Sequence, residues 1–406
     1  MLENLSIVDW ILLGALLCAF IVQVYFYARY LCAPARRIRK NKKAKNQESD
    51  NENCTPGVTV ILAAHNESYN LSQYLQALLT QDWPEYEVIV VDDGSEDDTR
   101  AIVESYMVRD PRVHMTFVPY GARVLSTKKL AITLAAKAAK YDYLLLTDAD
   151  CVPESNQWIR EMMKGFQSPI TNHQSPIEVV LGFGAYFYEK GHINRLVRYD
   201  TLFNGLHYLG AALCGHPYMG VGRNLAYRKS LFFESGGFTH QMTNRAGDDD
   251  LFVNHVATKE NTAVVLSPES YTWSPAKKTF KEWWQQKRRH ISVSPSYRMS
   301  TQFRLSLEPI TRGLFYVMVL VVIIGFGLSV RELQDLLHPS IHTIFMVGTA
   351  LLLFFVRWIL LTAVMNVSAR RMGQHRFGMF SMLWFDIVLP LVNFWMLIIP
   401  KKKLKW

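Results

Sequence analysis

Two aspartates separated by a single alanine close the apolar run "YDYLLLTDADC", residues Tyr141 to Cys151. A buried strand gains nothing from ending on paired negative charge, so Asp148 and Asp150 call for a counter-ion. At this spacing two carboxylates can share one hard divalent cation. Magnesium in particular takes one or two carboxylates and then the phosphate oxygens of a substrate. Two earlier apolar runs also end in acid: "VTVILAAHNE" delivers His65, Asn66 and Glu67, and "YEVIVVDDGSEDDT" delivers Asp92 and Asp93. One acidic pair is common in solvated turns. Three strands bringing carboxylates to one edge predict a site for a metal and a diphosphate.

The segments between these runs must place the acids on that edge. "YNLSQYLQALLTQ" carries Leu71, Leu75, Leu78 and Leu79 at helical spacing, and "TRAIVESYMVRD" and "STKKLAITLAAKAAKY" read as further helices. Strands alternating with helices predict a mostly parallel sheet covered on both faces. Ligands of such sheets sit beyond the carboxyl ends of the strands, where the unusual polar residues fall here. A chain of 406 residues builds this core without disulfide staples. Its five cysteines, Cys18, Cys32, Cys54, Cys151 and Cys214, are scattered with no CxxC spacing, which suggests neither a disulfide framework nor a zinc site and fits a reducing compartment.

Half of the residues are hydrophobic and only 19% are charged, the balance of a protein with both a soluble and a membrane part. Residues 7–31 are almost wholly apolar, long enough to cross a bilayer, and lack the basic start and small-residue cleavage site of a signal peptide. We read 1–32 as an N-terminal anchor. The basic run after it, "RRIRKNKKAK", opens a polar linker over 33–56 and places that side in the cytoplasm. Much of the formal charge of +9 lies beside apolar stretches, so it is expected to mark membrane flanks and not a nucleic-acid partner. The globular domain is placed at 57–275, amphipathic or interfacial helices at 276–311, membrane segments at 312–400 and a basic tail at 401–406. The last apolar segment contains Asp386, Pro390 and Asn393. A re-entrant or interfacial segment broken at Pro390 would keep both "ARRMGQHR" and "KKKLKW" on the cytoplasmic side, and we prefer it to a full fourth crossing.

Taken together, "HNE", "VVDDGSEDDT", "TKKLAI", "TDAD", "GVGRNLAYRKSLF", "GDDDLF" and "QKRRH", in that order over roughly residues 57–298, resemble the membrane-bound branch of the family 2 glycosyltransferases. The resemblance implies an α/β GT-A domain, a Rossmann-like, mostly parallel sheet that binds a nucleotide sugar, flanked by N-terminal and C-terminal transmembrane helices. It implies that Glu67, Asp92 and Asp93 form the base and ribose pocket and that Lys128 lies near the diphosphate. Asp148 and Asp150 would hold Mg²⁺ or Mn²⁺, with Asp150 the direct ligand. Gly222, Arg223 and Asn224 would face the acceptor, Gly220 and Gly222 allowing close backbone approach. In "AGDDDLF" the general base is Asp249 if the acidic pair is matched and Asp248 if counted back from Leu251, and we prefer Asp249. "QQKRRH" is similar to a QxxRW motif as Gln286, Arg289 and His290, with Arg288 or Arg289 on the diphosphate and histidine where tryptophan is usual.

The resemblance implies an inverting transfer of a sugar from a nucleotide-sugar donor to a lipid, lipid-linked or surface-glycan acceptor at a membrane, with the catalytic domain cytoplasmic (inner membrane in a bacterium). A processive polysaccharide synthase would use the same site, with more spans and usually the tryptophan that His290 replaces. A non-catalytic membrane protein that binds sugar nucleotides would bind donor without transfer or hydrolysis. A dinucleotide-dependent dehydrogenase is disfavoured, because "AAHNE" follows the first strand and no GxGxxG does. The adjacent "FKEWWQQ" reads equally as a helix lying on the bilayer surface or as a buried tryptophan pair.

Overall fold

The computed structural model describes residues 6–44, 55–119, 121, 126–167, 176–239, 246–329 and 341–398. Linker residues 45–54, Cys54 with them, and the basic tail lie outside the described residues. Helix α1 (Ile7–Phe26) passes through a π-helical turn (Tyr27–Leu31) into α2 (Cys32–Ala44). The sheet domain follows: β1 (Val58–Ala64), α3 (Ser68–Leu79), β2 (Tyr86–Asp92), α4 (Thr99–Arg109), β3 (Val113–Phe117), α5 (Thr127–Ala138), β4 (Tyr143–Asp148), β5 (Val152–Pro153) and α6 (Trp158–Gln167). Then come β6 (Val179–Leu181), β7 (Gly184–Tyr186), α7 (His192–Leu213), β8 (Leu225–Arg228), α8 (Lys229–Glu234), α9 (Asp250–Val256), β9 (Thr262–Val264) and β10 (Thr272–Ser274). The chain continues through α10 (Phe280–Ile291), α11 (Met299–Ser329), α12 (Ile341–Arg371) and α13 (Met379–Ile398).

Seven strands form one sheet in the order β3-β2-β1-β4-β8-β6-β9, and β5-β10-β7 form a second. Strands β1 to β4 are parallel, while β8 runs antiparallel to β4 and β6. Alternate residues supply the two faces, as strand geometry requires. Ile61, Ile89, Leu144 and Leu146 meet Ala131, Ile132, Ala135 and Ala136 of α5, whereas Val60, Leu62, Val88 and Leu145 meet the leucines of α3 and Trp158, Ile159 and Met162 of α6. The four leucines anticipated for α3 are its buried face. The register sets Ala64 opposite Asp92 and Ala63 opposite Asp148, so both acids flank the end of β1, where the strand order reverses. That is the position at which an open α/β sheet binds ligands.

The structure corrects the reading outside the sheet. Residues 33–44, expected as solvated linker, are helical, because Leu31, Ala33, Ala35 and Ile38 are buried at helical spacing while Arg37 and Arg39 face out; α2 packs on α7. The span expected from Gly313 begins at Met299, fourteen residues earlier in the numbering, as part of α11. Trp283 is buried in the domain core, which removes it from a bilayer-surface role.

Among the described residues, four helices are long and apolar enough to cross a membrane: α1 with its continuation, α11, α12 and α13. The first three pack together through Leu16, Ala19, Phe315, Val319, Val322, Met346 and Ala350. Helix α13 is not broken at Pro390, contrary to expectation; the ring removes one N–H and the remaining ladder carries the helix past it. Its buried residues Met382, Phe385 and Leu389 join the core of the sheet domain and not the three-helix cluster. The charges that seemed to interrupt these helices are buried and paired. Asp386 accepts from Arg312 at 3.2 Å and from Arg357 at 2.5 Å, Glu308 pairs with Arg312 at 2.9 Å, and Gln23 accepts from Arg357 at 3.1 Å.

Candidate active site

Two loops at the sheet edge are laced together. Asn66 adopts a positive φ of 55°, tolerable for asparagine, and its amide oxygen accepts from Glu96 N at 2.8 Å while its own N–H donates to Ser95 Oγ at 3.0 Å. His65 Nδ1 lies 2.7 Å from the Asp93 carbonyl oxygen. The Glu67 N–H donates to Thr99 Oγ1 at 2.8 Å, and its carboxylate accepts from Asn70 at 2.5 Å. Burial raises the Glu67 carboxyl above the usual range; the Asn70 bond opposes this, and the charges of Asp150 and Asp148 add to it. Asp93 is also raised by burial. Asp92 is buried, and its Oδ1 accepts from Ser95 N at 2.9 Å, so one oxygen holds the turn closed.

At the end of β4, Asp148 Oδ1 accepts from Lys128 Nζ at 3.0 Å, and the same ammonium lies 3.3 Å from Asp248 Oδ2. Lys128 therefore ties the strand end to the loop before α9. Burial alone would raise Asp148, but Lys128, with the charges of Arg223 and Arg289, outweighs it and holds the carboxyl below the usual range. Asp150 goes the other way: burial and then the neighbouring Asp148 charge raise it. Lys128 is held above the usual lysine range by Asp148, Asp248 and Asp249, although burial opposes this.

Ligand atoms of Asp148, Asp150 and Cys151 lie within 4.8 Å of one another. The Cys151 thiol is pushed well up by burial and donates to Asp150 Oδ1 at 3.3 Å, so it stays protonated and is no ligand for a hard ion. What remains is an oxygen-only pair whose Asp150 end has no cation within salt-bridge distance among the described residues, a donor set suited to Mg²⁺ or Mn²⁺.

The two candidate bases occupy different settings. Asp249 caps α9: Oδ1 accepts from Asp250 N at 2.8 Å and Oδ2 from Gly222 N at 2.7 Å, so both oxygens hold backbone. A Cβ on Gly222 would stand in van der Waals contact with that carboxylate, 3.4 Å from Oδ2. Asp248 makes its ion pair to Lys128 and so shares the cleft with Asp148. Behind them Asp250 is buried, raised well above the usual range by burial and by Asp249 and Asp248, and accepts from Tyr297 OH at 3.3 Å.

Arg223 donates to Ala185 O at 3.1 Å and Ser274 Oγ at 3.0 Å, and its guanidinium lies 4.3 Å from the centre of the Tyr186 ring. Gln286 donates to the Tyr186 hydroxyl at 3.0 Å. Tyr186 thus links the α10 motif to Arg223, a role with no local sequence signal. Arg288 and Arg289 are half-buried on α10, and His290 is exposed at its end. Lys287, also unanticipated, is buried and pairs with Asp200 of α7 at 2.5 Å. Asn224 leaves the candidate site. It is 0% exposed, donates to Phe183 O and Ser270 O at 3.0 and 2.7 Å, and accepts from Trp158 at 3.1 Å.

Residues 59–233 match the model of the family described as "Glycosyl transferase family 2". A probable glycosyltransferase YdaM of Bacillus subtilis is 24% identical over 377 residues, covering 86% of each chain. A poly-beta-1,6-N-acetyl-D-glucosamine synthase of Staphylococcus epidermidis is 31% identical over 96 residues, 24% of this chain and 22% of the synthase. Among solved structures, the mannosyltransferase PcManGT from Pyrobaculum calidifontis, in complex with GDP-Man and Mn²⁺, aligns with a TM-score of 0.50 at 16% identity, covering 87% of this chain and 99% of that one.

Proposed function

The chain is a family 2 glycosyltransferase with the GT-A fold and membrane helices, and from that premise we propose that it moves a sugar from a nucleotide-sugar donor to a lipid or glycan hydroxyl in one metal-dependent, inverting step. The observation that carries this reading is the bridge from Asp148 through Lys128 to Asp248, which draws the metal-binding edge and a candidate base into one cleft.

Asp150 and Asp148 would hold Mg²⁺ or Mn²⁺, and when bound the ion would neutralise charge on the donor diphosphate. Lys128 and Arg289 supply positive charge on the same side, where it favours departure of the nucleoside diphosphate. Glu67 and Asp93 face the nucleoside end, with Asp92 holding the loop that carries them. We assign the general base to Asp248. Both oxygens of Asp249 accept backbone N–H bonds, which fixes it as the cap of α9, whereas Asp248 shares the cleft with Asp148 through Lys128. As the acceptor oxygen bonds to the anomeric carbon, its proton passes to the Asp248 carboxylate. The bond from that carbon to the diphosphate oxygen breaks, with its electron pair leaving on the diphosphate. One base and, among the described residues assigned to the site, no separate nucleophile fit inversion. Arg223, oriented by Tyr186, and the end of α10 with Gln286 and His290 border the acceptor side.

A cytoplasmic catalytic domain is the reading that the basic residues of α2 and Arg370, Arg371 and Arg376 support, since they flank the same ends of the membrane helices. The S. epidermidis relative supports a second reading, a processive synthase at the same cleft, and product length separates the two. The test is release of nucleoside diphosphate by the detergent-purified chain over a panel of nucleotide sugars, with Mg²⁺, Mn²⁺ or chelator. Release from one donor, abolished by chelator, is expected. Donor turnover that survives chelation would remove the metal-dependent mechanism, and no turnover with or without added acceptor would remove transfer.

A further inference from the structure

A second polar cleft, sharing no residue with the acid-lined one, opens between the start of α7 and the turn that joins α12 to α13. Its cavity volume is about 240 Å³, and it is lined by Lys190, Gly191, Arg195, Arg198 and Arg376, with Tyr188, Glu189 and Gly378. Four cations thus face one acid, and among the described residues none of the four is ion-paired. Arg198 is the least ordinary of them. It is only 3% exposed, yet its nearest partners are a carbonyl and two aromatic faces: Nη2 donates to His375 O at 2.9 Å, and the guanidinium lies 5.1 Å from the Tyr188 ring centre and 5.3 Å from that of Phe377. Its Nε is buried with no hydrogen-bond partner. A buried cation without a carboxylate is costly, and a spare buried N–H adds to that cost.

The backbone contributes a second, independent feature. Gly191 stands at the N-terminus of the 22-residue helix α7 with a φ of 128°, a conformation side chains avoid, and no side chain caps the helix. Gly191 lines the same cleft as Arg198, so the uncapped, positive end of the helix borders it, an arrangement that suits a phosphate. Burial disfavours the charge of Arg198, and neighbouring Arg195 adds repulsion that an anion would relieve. Directly after Gly378 the chain enters apolar α13, where Met379 is exposed and Phe380 is 83% exposed.

We propose that this cleft binds a phosphate group, carried by the headgroup of a membrane lipid whose tails lie along the exposed start of α13. Arg198 and the α7 amides grip the phosphate, while Arg195, Arg376 and Lys190 balance its charge. The site anchors lipid beside the catalytic domain and is independent of the transfer chemistry.

The test uses native mass spectrometry of the full chain in detergent, titrated separately with dioleoyl phosphatidic acid, dioleoylglycerol and inorganic phosphate. Phosphatidic acid is expected to bind and dioleoylglycerol not to. Arg198→Gln, and separately R195Q/R376Q on exposed side chains, should weaken binding roughly tenfold. R37Q/R39Q, which removes as much charge from exposed positions of α2, should leave it unchanged. Inorganic phosphate that displaces phosphatidic acid only at far higher concentration supports the lipid source, whereas equal affinity assigns the same phosphate site to a soluble ligand. Equal binding of dioleoylglycerol, or R195Q/R376Q binding like the wild type, would overturn the proposal. Nucleoside diphosphate release by R195Q/R376Q should match the wild type, so the outcome does not depend on the transferase reading.

Discussion

Two groups of acids and bases in this molecule differ in what their neighbours leave free. In the membrane-helix network Asp386 and Glu308 are matched by Arg312 and Arg357, and all four are buried. Every charge has a partner, which is how ionisable residues persist within apolar helices. In the sheet-edge cleft Asp148, Asp150, Asp248 and Asp249 crowd around Lys128 and Arg223, and the side chains of Lys128 and Asp148 are partly open to solvent. Burial and then the Asp148 charge raise Asp150, and holding it ionised there costs stability unless a cation enters. Matched charge marks a structural network and unmatched, accessible charge a working site.

This contrast can be broken at its sharpest point with Asp248→Asn. The change should lower kcat by about 10²- to 10⁴-fold, with donor affinity held within a few-fold, in steady-state kinetics paired with calorimetric donor binding. A variant that keeps its kcat would return the base to Asp249. In the membrane network, Asp386→Asn should cost about 3–5 kcal/mol of stability by leaving Arg357 and Arg312 without their shared acid, read as a fall in Tm in detergent. The R357M/D386L pair should recover much of that loss. Full stability in D386N would show that the network carries no net weight.

Asp249→Asn should act mainly on structure. It turns an amide N–H toward that of Gly222 and should cost about 1–3 kcal/mol, with a smaller loss in kcat than D248N. Arg223→Lys removes the planar stack on Tyr186 and should lower kcat/KM roughly tenfold, or about 1–2 kcal/mol. The mildest test is pH. Because Asp150 is raised, its proton returns at a higher pH than on an ordinary carboxylate, so metal affinity should rise with pH and fall early on acidification. An apparent metal Kd that stays flat through the mildly acidic range would contradict that sign.

The sheet and its acid edge were legible because they rest on short-range patterns: apolar runs that stop at carboxylates, and leucines at helical spacing in α3. What escaped notice depends on distant partners. Asn224 looked like a ligand contact, yet Trp158, Phe183 and Ser270, from 41 to 66 residues away, take its hydrogen bonds. Tyr186 sits in a stretch with no motif and Lys287 at an unspecified position of the QxxRW-like run, and both gain their roles only when α10 folds back on β7 and α7. The basic run of α2 masked a buried stripe of small and apolar residues, and Pro390 suggested a break that the helix does not make. Asp386 read as an interruption because Arg312 and Arg357, which neutralise it, lie on other helices.

The most direct measurement is a Mn²⁺ titration followed by electron paramagnetic resonance, on the wild type and on Asp150→Ala, with and without a nucleoside diphosphate. The account predicts one bound Mn²⁺ in the wild type, tightened by the diphosphate and lost in the variant. Equal Mn²⁺ binding by both proteins would contradict it.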